Sequence, residues 1–171
     1  MGTQVAFDRL VHAVDGWAAG HADVDIFAQT GPTQSPPAHI RHAQFMEPSA
    51  FQEHMEKAEL IIGHAGMGTL INALLLQKPV VIMPRKAELG EHRNDHQLAT
   101  ARWFASRPGV EVVNTAKELV AVLDRRQSLA APTAISQIAS PELIGALRAF
   151  IDTGERPCMD SATTAHVRSV S

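Results

Sequence analysis

An α/β fold with a doubly wound parallel sheet is what this sequence predicts, and three observations predict it. Leu60-Ile61-Ile62 and Val80 to Met83 are brief, continuous apolar runs, the pattern of strands buried on both faces. The segments between such runs repeat apolar residues at helical spacing. The stretch "HAGMGT", residues 64 to 69, puts glycines where a strand must turn into a helix. Sheets of this kind bind ligands beyond the carboxyl ends of their strands. The glycine stretch and the loop after Pro84 both fall at that edge.

The elements follow in order. Phe7, Leu10, Val11, Val14, Trp17 and Ala18 recur on one helical face, with Asp8, Arg9, His12 and Asp15 between them, so a first helix runs to about Gly20. Val24 to Ala28 alternates like a short strand. Thr30 to Pro37 holds three prolines and a glycine and reads as a loop. Ile40 to Phe45 suits another strand. Ser49 with Gln52 has the spacing of a capping box and predicts a helix over 49–57. After the strand at 60–62 and the glycines, Leu70, Ala73, Leu74 and Gln77 mark the next helix. Pro84 stops the strand at 80–83, and a polar loop, Lys86 to Arg93, leads to a helix near 94–106. Val110 to Val113 is the last strand, and Thr115 with Glu118 caps a helix carrying Leu119, Val122 and Leu123. A linker rich in Ala, Ser, Thr and Gln spans 127–140, Ser140-Pro141-Glu142 opens a final helix, and the tail after Thr153 is expected to be disordered. The expected division is 1–126 for a ligand-binding domain, 127–152 for linker and helix, and 153–171 for the tail.

Composition narrows the function classes. In 171 residues, 45% are hydrophobic and 19% charged, which is ordinary for a globular chain. A net charge of −3 gives no basic excess for nucleic acid. The single Cys158 excludes an internal disulfide and a multi-cysteine zinc site. No apolar run approaches about 18 residues, and the start "MGTQVAFDRL" has no basic segment followed by an apolar one. A cytoplasmic chain is expected, reaching a membrane only through a partner.

Gly66-Met67-Gly68-Thr69 is the first candidate site. Glycines there permit a tight turn and let an anion approach the amides of the first helical turn, where the helix dipole adds partial positive charge. Thr69 adds a hydroxyl. The same spacing suits a strand-to-helix turn with no ligand, and it is neither GxGxxG nor a Walker A motif. His64 stands beside the glycines, either as a turn-stabilising residue or as a donor to a phosphate or sugar oxygen. Asn72 falls about one turn further along, facing the loop side or solvent.

"GEHRNDHQ", residues 90 to 97, is the densest polar cluster. Glu91, His92, Asp95 and His96 have the side chains of a metal site, with the histidines four apart on one helix face, but the HExxH order is absent. A solvated helix start capped by Asn94 is a second reading. A sugar-contacting loop is a third, in which Asp95, His96 and Gln97 supply donors and acceptors for hydroxyls. No metal and no cofactor is expected.

Taken together, "HAGMGT", "KPVVIMPR" and "GEHRNDHQ", with the opening "GTQVAFDRLVHAVDGWA", resemble the nucleotide-sugar-binding half of family 28 glycosyltransferases. The resemblance runs from Gly2 to about Arg126, and the size is that of stand-alone subunits whose partner chain supplies the acceptor half. It implies a Rossmann-like, GT-B donor-binding domain in which Gly66, Met67, Gly68 and Thr69 hold the diphosphate of a UDP-sugar, with His64 nearby as the candidate catalytic residue. It places Asn72 at the ribose, where the family generally carries an acid. Asn offers a hydrogen bond without the charge. It places the donor sugar against His96 and Gln97.

Relatives carry an apolar strand ahead of the Gly-Thr, and this chain has only Met1 there. In a doubly wound order that strand is central. A native start upstream of Met1 is therefore expected, and mass spectrometry of the native protein tests it. The implied reaction is sugar transfer from a UDP-sugar to a lipid-linked acceptor at the inner membrane face, in exopolysaccharide or glycan synthesis. The implied partner is an acceptor-binding, membrane-associated glycosyltransferase subunit, without which this chain is inactive. The competing readings are a non-catalytic nucleotide-sugar-binding regulatory subunit and a metal-dependent hydrolase using His92 and His96.

Overall fold

A computed structural model describes residues 5–135 and 138–154. The chain divides into two compact units, Met1–Ile135 and Ser136–Ser171. The first runs α1 (Asp8–Ala18), β1 (Phe27–Gln29), β2 (Arg41–Ala43), α2 (Pro48–Lys57), β3 (Ile61–His64), α3 (Met67–Leu75), β4 (Val80–Met83), α4 (His96–Phe104), β5 (Val110–Val112) and α5 (Ala116–Asp124). Short 3-10 turns occupy Ala87–Leu89 and Arg126–Ser128.

All the strand pairs are parallel. β4 lies between β3 and β5, with Val80 opposite both Ile61 and Val110, and His64 opposite Met83. A separate pair joins β1 to β2, Phe27 opposite Arg41. Among the described residues, no strand pairing joins the two groups. Ala28 of β1 and Ile62 of β3 nevertheless pack against the same buried cluster.

β4 shows why the sheet is doubly wound. Successive side chains of a strand point to opposite faces. Val81 and Met83 join Leu10, Val14 and Trp17 of α1 and Leu119, Val122 and Leu123 of α5 on one side. Val80 and Ile82 join Met55 of α2, Leu70, Ala73 and Leu74 of α3 and Ala101 of α4 on the other. The α/β, doubly wound reading is correct.

Local signals set most boundaries. β4 occupies the predicted residues 80–83. Thr115 caps α5 by accepting the Glu118 N–H at 3.2 Å, while the Glu118 carboxylate accepts from Asn114 N at 2.8 Å. The cap expected at Ser49 does not form. α2 begins one residue earlier with Pro48 at its first turn, and Gln52 bonds Glu56 instead. Pro at that position needs no N–H partner and carries a preset φ, so it outranks the capping box. Asp95, not Asn94, precedes α4 as its N-cap.

Leu129 and Ile135 pack against the two clusters, so the first unit continues beyond α5. In the second unit, α6 (Pro141–Thr153) is capped by Ser140, which accepts the Leu143 N–H at 3.2 Å. The expected disordered tail lies outside the described residues.

Candidate functional site at the carboxyl edge

The register brings two predicted regions together. His64 ends β3 directly opposite Met83, so the glycine turn and the loop after Pro84 leave from adjacent strand ends. After His64 the chain turns sharply, Gly66 N–H donating to the His64 carbonyl at 2.7 Å. Gly66 is then the N-cap of α3 and supplies no side chain to its first amides. Met67 and Gly68 are exposed there, and Thr69 and Asn72 are partly buried. A helix start of this kind carries outward N–H groups and partial positive charge.

Close approach explains two of the glycines. A Cβ on Gly66 would run into the His64 ring, and one on Gly63 would stand 3.2 Å from Thr69 Cγ2. The imidazole therefore lies over the turn, and the first turn of α3 presses on β3. Gly68 differs, since a Cβ there meets nothing within 4 Å.

His64 is held neutral. Burial is the largest cause, and the nearby charges of Arg85 and His92 add to it, while a hydrogen bond with Gln97 opposes them. The result is a pKa pushed down to about 4. At neutral pH the ring offers one donor and one acceptor nitrogen.

The loop between β4 and α4 is pinned at several points. Gln97 is buried, and its Oε1 accepts the Arg85 N–H at 3.1 Å, so this side chain ties the start of α4 to the ends of β3 and β4. Asp95 Oδ1 accepts the Ala87 N–H at 2.9 Å. His96 is exposed, its Nδ1 against Asn94 Oδ1 and its ring edge-on to His92 with centroids 4.5 Å apart. Of the three predicted sugar contacts, His96 points its surface to solvent, Asp95 braces the loop and Gln97 faces inward.

Sequence reasoning gave no role to Arg9 or Arg85, and considered Glu91 only as a metal ligand. Arg85 is buried, donating to the carbonyls of Val5, Ala6 and Glu91 at 2.8, 2.9 and 3.1 Å. Burial pulls its pKa down, and the charges of Glu91 and Asp8 resist this. Phe7 is fully buried with the Arg85 and Arg9 guanidinium carbons 4.6 and 5.3 Å from its ring centroid. The available signal was an arginine directly after a wholly apolar strand and Pro84, a place where a charge must find internal partners. Among the described residues, no group of three or more His, Cys, Asp or Glu side chains converges to hold a metal.

A parallel sheet wound on both sides, with a glycine turn and an uncapped helix start at its carboxyl edge, places the molecule in the Rossmann-like fold class. Within that class, the chain belongs to glycosyltransferase family 28, matching its C-terminal domain over residues 2–135. The fold is similar to the crystal structure of the glycotransferase of kitacinnamycin, with a TM-score of 0.51 and 17% identity. The match covers 70% of this chain but 31% of that one, so this chain corresponds to about a third of that protein's length. No curated protein matches. Among the described residues, no helix is long and apolar enough to cross a membrane.

Proposed function

We propose that this chain is the donor-binding half of a two-component glycosyltransferase. It takes a UDP-sugar and, with an acceptor-binding, membrane-associated partner, transfers the sugar to a lipid-linked acceptor. The observation that carries this reading is the start of α3, uncapped by Gly66 and exposed at Met67 and Gly68 on the carboxyl edge. The amides of Met67, Gly68 and Thr69 would hold the diphosphate and stabilise the charge that grows on it as the glycosidic bond breaks. Asn72 would meet the ribose, and His96 with the adjoining loop would meet the sugar. A base with a pKa near 4 is a weak proton acceptor at neutral pH, so His64 serves better as a donor to the diphosphate than as the general base. Exopolysaccharide or glycan synthesis at the inner membrane face is the setting this chemistry suits.

Gly68→Ala tests the diphosphate contact, because its Cβ has room in the ligand-free fold and would intrude only on a bound group. Calorimetry should show UDP affinity falling about tenfold or more with the melting temperature held or slightly raised. Unchanged UDP affinity, or no UDP binding by the wild type, would reject the reading. A second reading, a non-catalytic nucleotide-sugar-binding regulatory subunit, is favoured by Asn72 standing where an acid is usual. Co-expression with the acceptor-half protein and a labelled-sugar transfer assay separates the two.

A further inference from the structure

Glu91 shares with Arg85 the densest side-chain bonding in the loop between β4 and α4. Its carboxylate accepts Arg9 Nε at 2.7 Å, Arg9 Nη2 at 2.8 Å and the Lys86 N–H at 2.9 Å. Its backbone adds two more ties, since its N–H donates to the Lys86 carbonyl at 3.2 Å and its carbonyl accepts Arg85 Nη1 at 3.1 Å. Lys86 and Glu91 are thereby closed into a ring at the loop's base. The other end is braced by Asp95 on the Ala87 N–H.

Arg9 reaches further than an ordinary ion pair requires. From the first turn of α1, its Nη2 also donates to the Pro84 carbonyl at 3.0 Å and its Nη1 to the Asn114 carbonyl at 3.0 Å, just beyond β5. One guanidinium thus fastens the exits of β4 and β5 to the loop. The pair is mostly withdrawn from solvent, with side chains 22% and 11% exposed. Charge-assisted, bidentate bonds of this kind fix geometry as well as adding energy. Arg9 pairs with this acid directly and Arg85 feels its charge, so its removal leaves Arg9 without its partner and Arg85 with only Asp8 as a nearby acid.

We propose that Glu91, clamped by Arg9, is a positioning residue that sets the conformation of residues 86–96 and so the contact with the sugar portion of the donor. This rests on the reading of the chain as a nucleotide-sugar-binding domain. The diphosphate contacts belong to α3 and His64, and neither Arg9 nor Glu91 is among them. The pair therefore governs the gain in affinity from UDP to UDP-sugar, and leaves UDP itself alone.

The test compares wild type, Glu91→Gln and Arg9→Gln by calorimetry with UDP and with UDP-glucose, UDP-glucuronate and UDP-N-acetylglucosamine. For whichever sugar nucleotide binds the wild type most tightly, Glu91→Gln should lose about tenfold in affinity, with UDP unchanged within about twofold. The double variant should lose no more than the worse single one, because both changes break one clamp. Equal losses for UDP and UDP-sugar, additive losses, or no loss would overturn the proposal. Hydrogen exchange of the ligand-free proteins supplies a readout independent of the donor. Amides of Lys86 and Ala87 should exchange at least tenfold faster in Glu91→Gln, while those of β4 hold. Failure of the wild type to bind any of the nucleotides would sink the function and leave this exchange result to decide the clamp. Glu91→Asp, which keeps the charge on a shorter arm, takes the place of Glu91→Gln if that variant does not fold, with the same outcomes read.

Discussion

Val80 to Met83 is closed to solvent along its whole length, whereas Phe27 to Gln29 is half-buried throughout and Arg41 and His42 are exposed. The three-stranded sheet carrying the candidate site is held by backbone ladders and two apolar layers. The connection between β1 and β2 is held in addition by polar clasps from α1. Asp15 accepts the N–H groups of His39, Ala38 and Ile40 at 2.7, 3.1 and 3.1 Å, and Asp8 accepts the Thr33 hydroxyl at 2.6 Å. His12 meets the Ser35 carbonyl at 2.9 Å. One half rests on burial, and the other adds to a smaller apolar contact a set of directed bonds to a single helix, so the two should fail under different conditions.

The largest effect is expected in the apolar half. Ile82→Ala empties a fully buried position in the middle strand and should cost about 4 kcal/mol, read by urea denaturation. A loss below about 1 kcal/mol would mean that the strand is not the centre of the core.

Acid should separate the halves next. His64 stays neutral in the fold until its pKa of about 4, whereas the unfolded chain binds that proton near 6.5. Stability is therefore complete above about pH 6.5, declines as pH falls, and stops declining from this source near 4. The total is roughly 3 kcal/mol for the 6.5 to 4 interval. His64→Gln should flatten that slope. For Asp15, burial raises the pKa, but the bonds from His39 and Ala38 and the charge of His39 prevail and the net shift is downward. Its contribution is present above the ordinary carboxylate pKa and lost only as pH falls below 3.8. Denaturation curves from pH 7 to 3 should show two distinct windows.

Asp15→Ala gives the smallest of the three, about 2 kcal/mol, because three backbone N–H groups lose a charged acceptor. Hydrogen exchange should quicken at 38–40 and hardly change in β4. Uniform quickening would show that the halves are one cooperative unit, not two regimes.

The same contrast explains what the amino-acid sequence made legible. β4 was readable to the residue because a wholly apolar run meets Pro84. The α5 cap was readable because Thr115 and Glu118 lie within one turn. β1 is shorter than the alternation over 24–28 implies and shifted to 27–29, since half-burial leaves the polar pattern weak. The glycine turn and the polar loop were legible as separate motifs, and parallel register placed them side by side. The clamp was not legible, because Arg9 and Glu91 are 82 positions apart and no periodicity links them. Gln97 reads in the sequence as a sugar contact, and its burial against Arg85 and His64 adds an interior task that no spacing reveals.

Phe7, with two guanidinium groups close to its ring, carries a consequence for electrostatic design. An aromatic ring presents its negative quadrupole face to a cation and so tempers the repulsion between two positive neighbours. An aliphatic side chain of equal bulk would fill the volume yet supply no such field. Position 7 thus selects for electron density as well as for size, and a substitution scored by hydrophobicity alone would misjudge it.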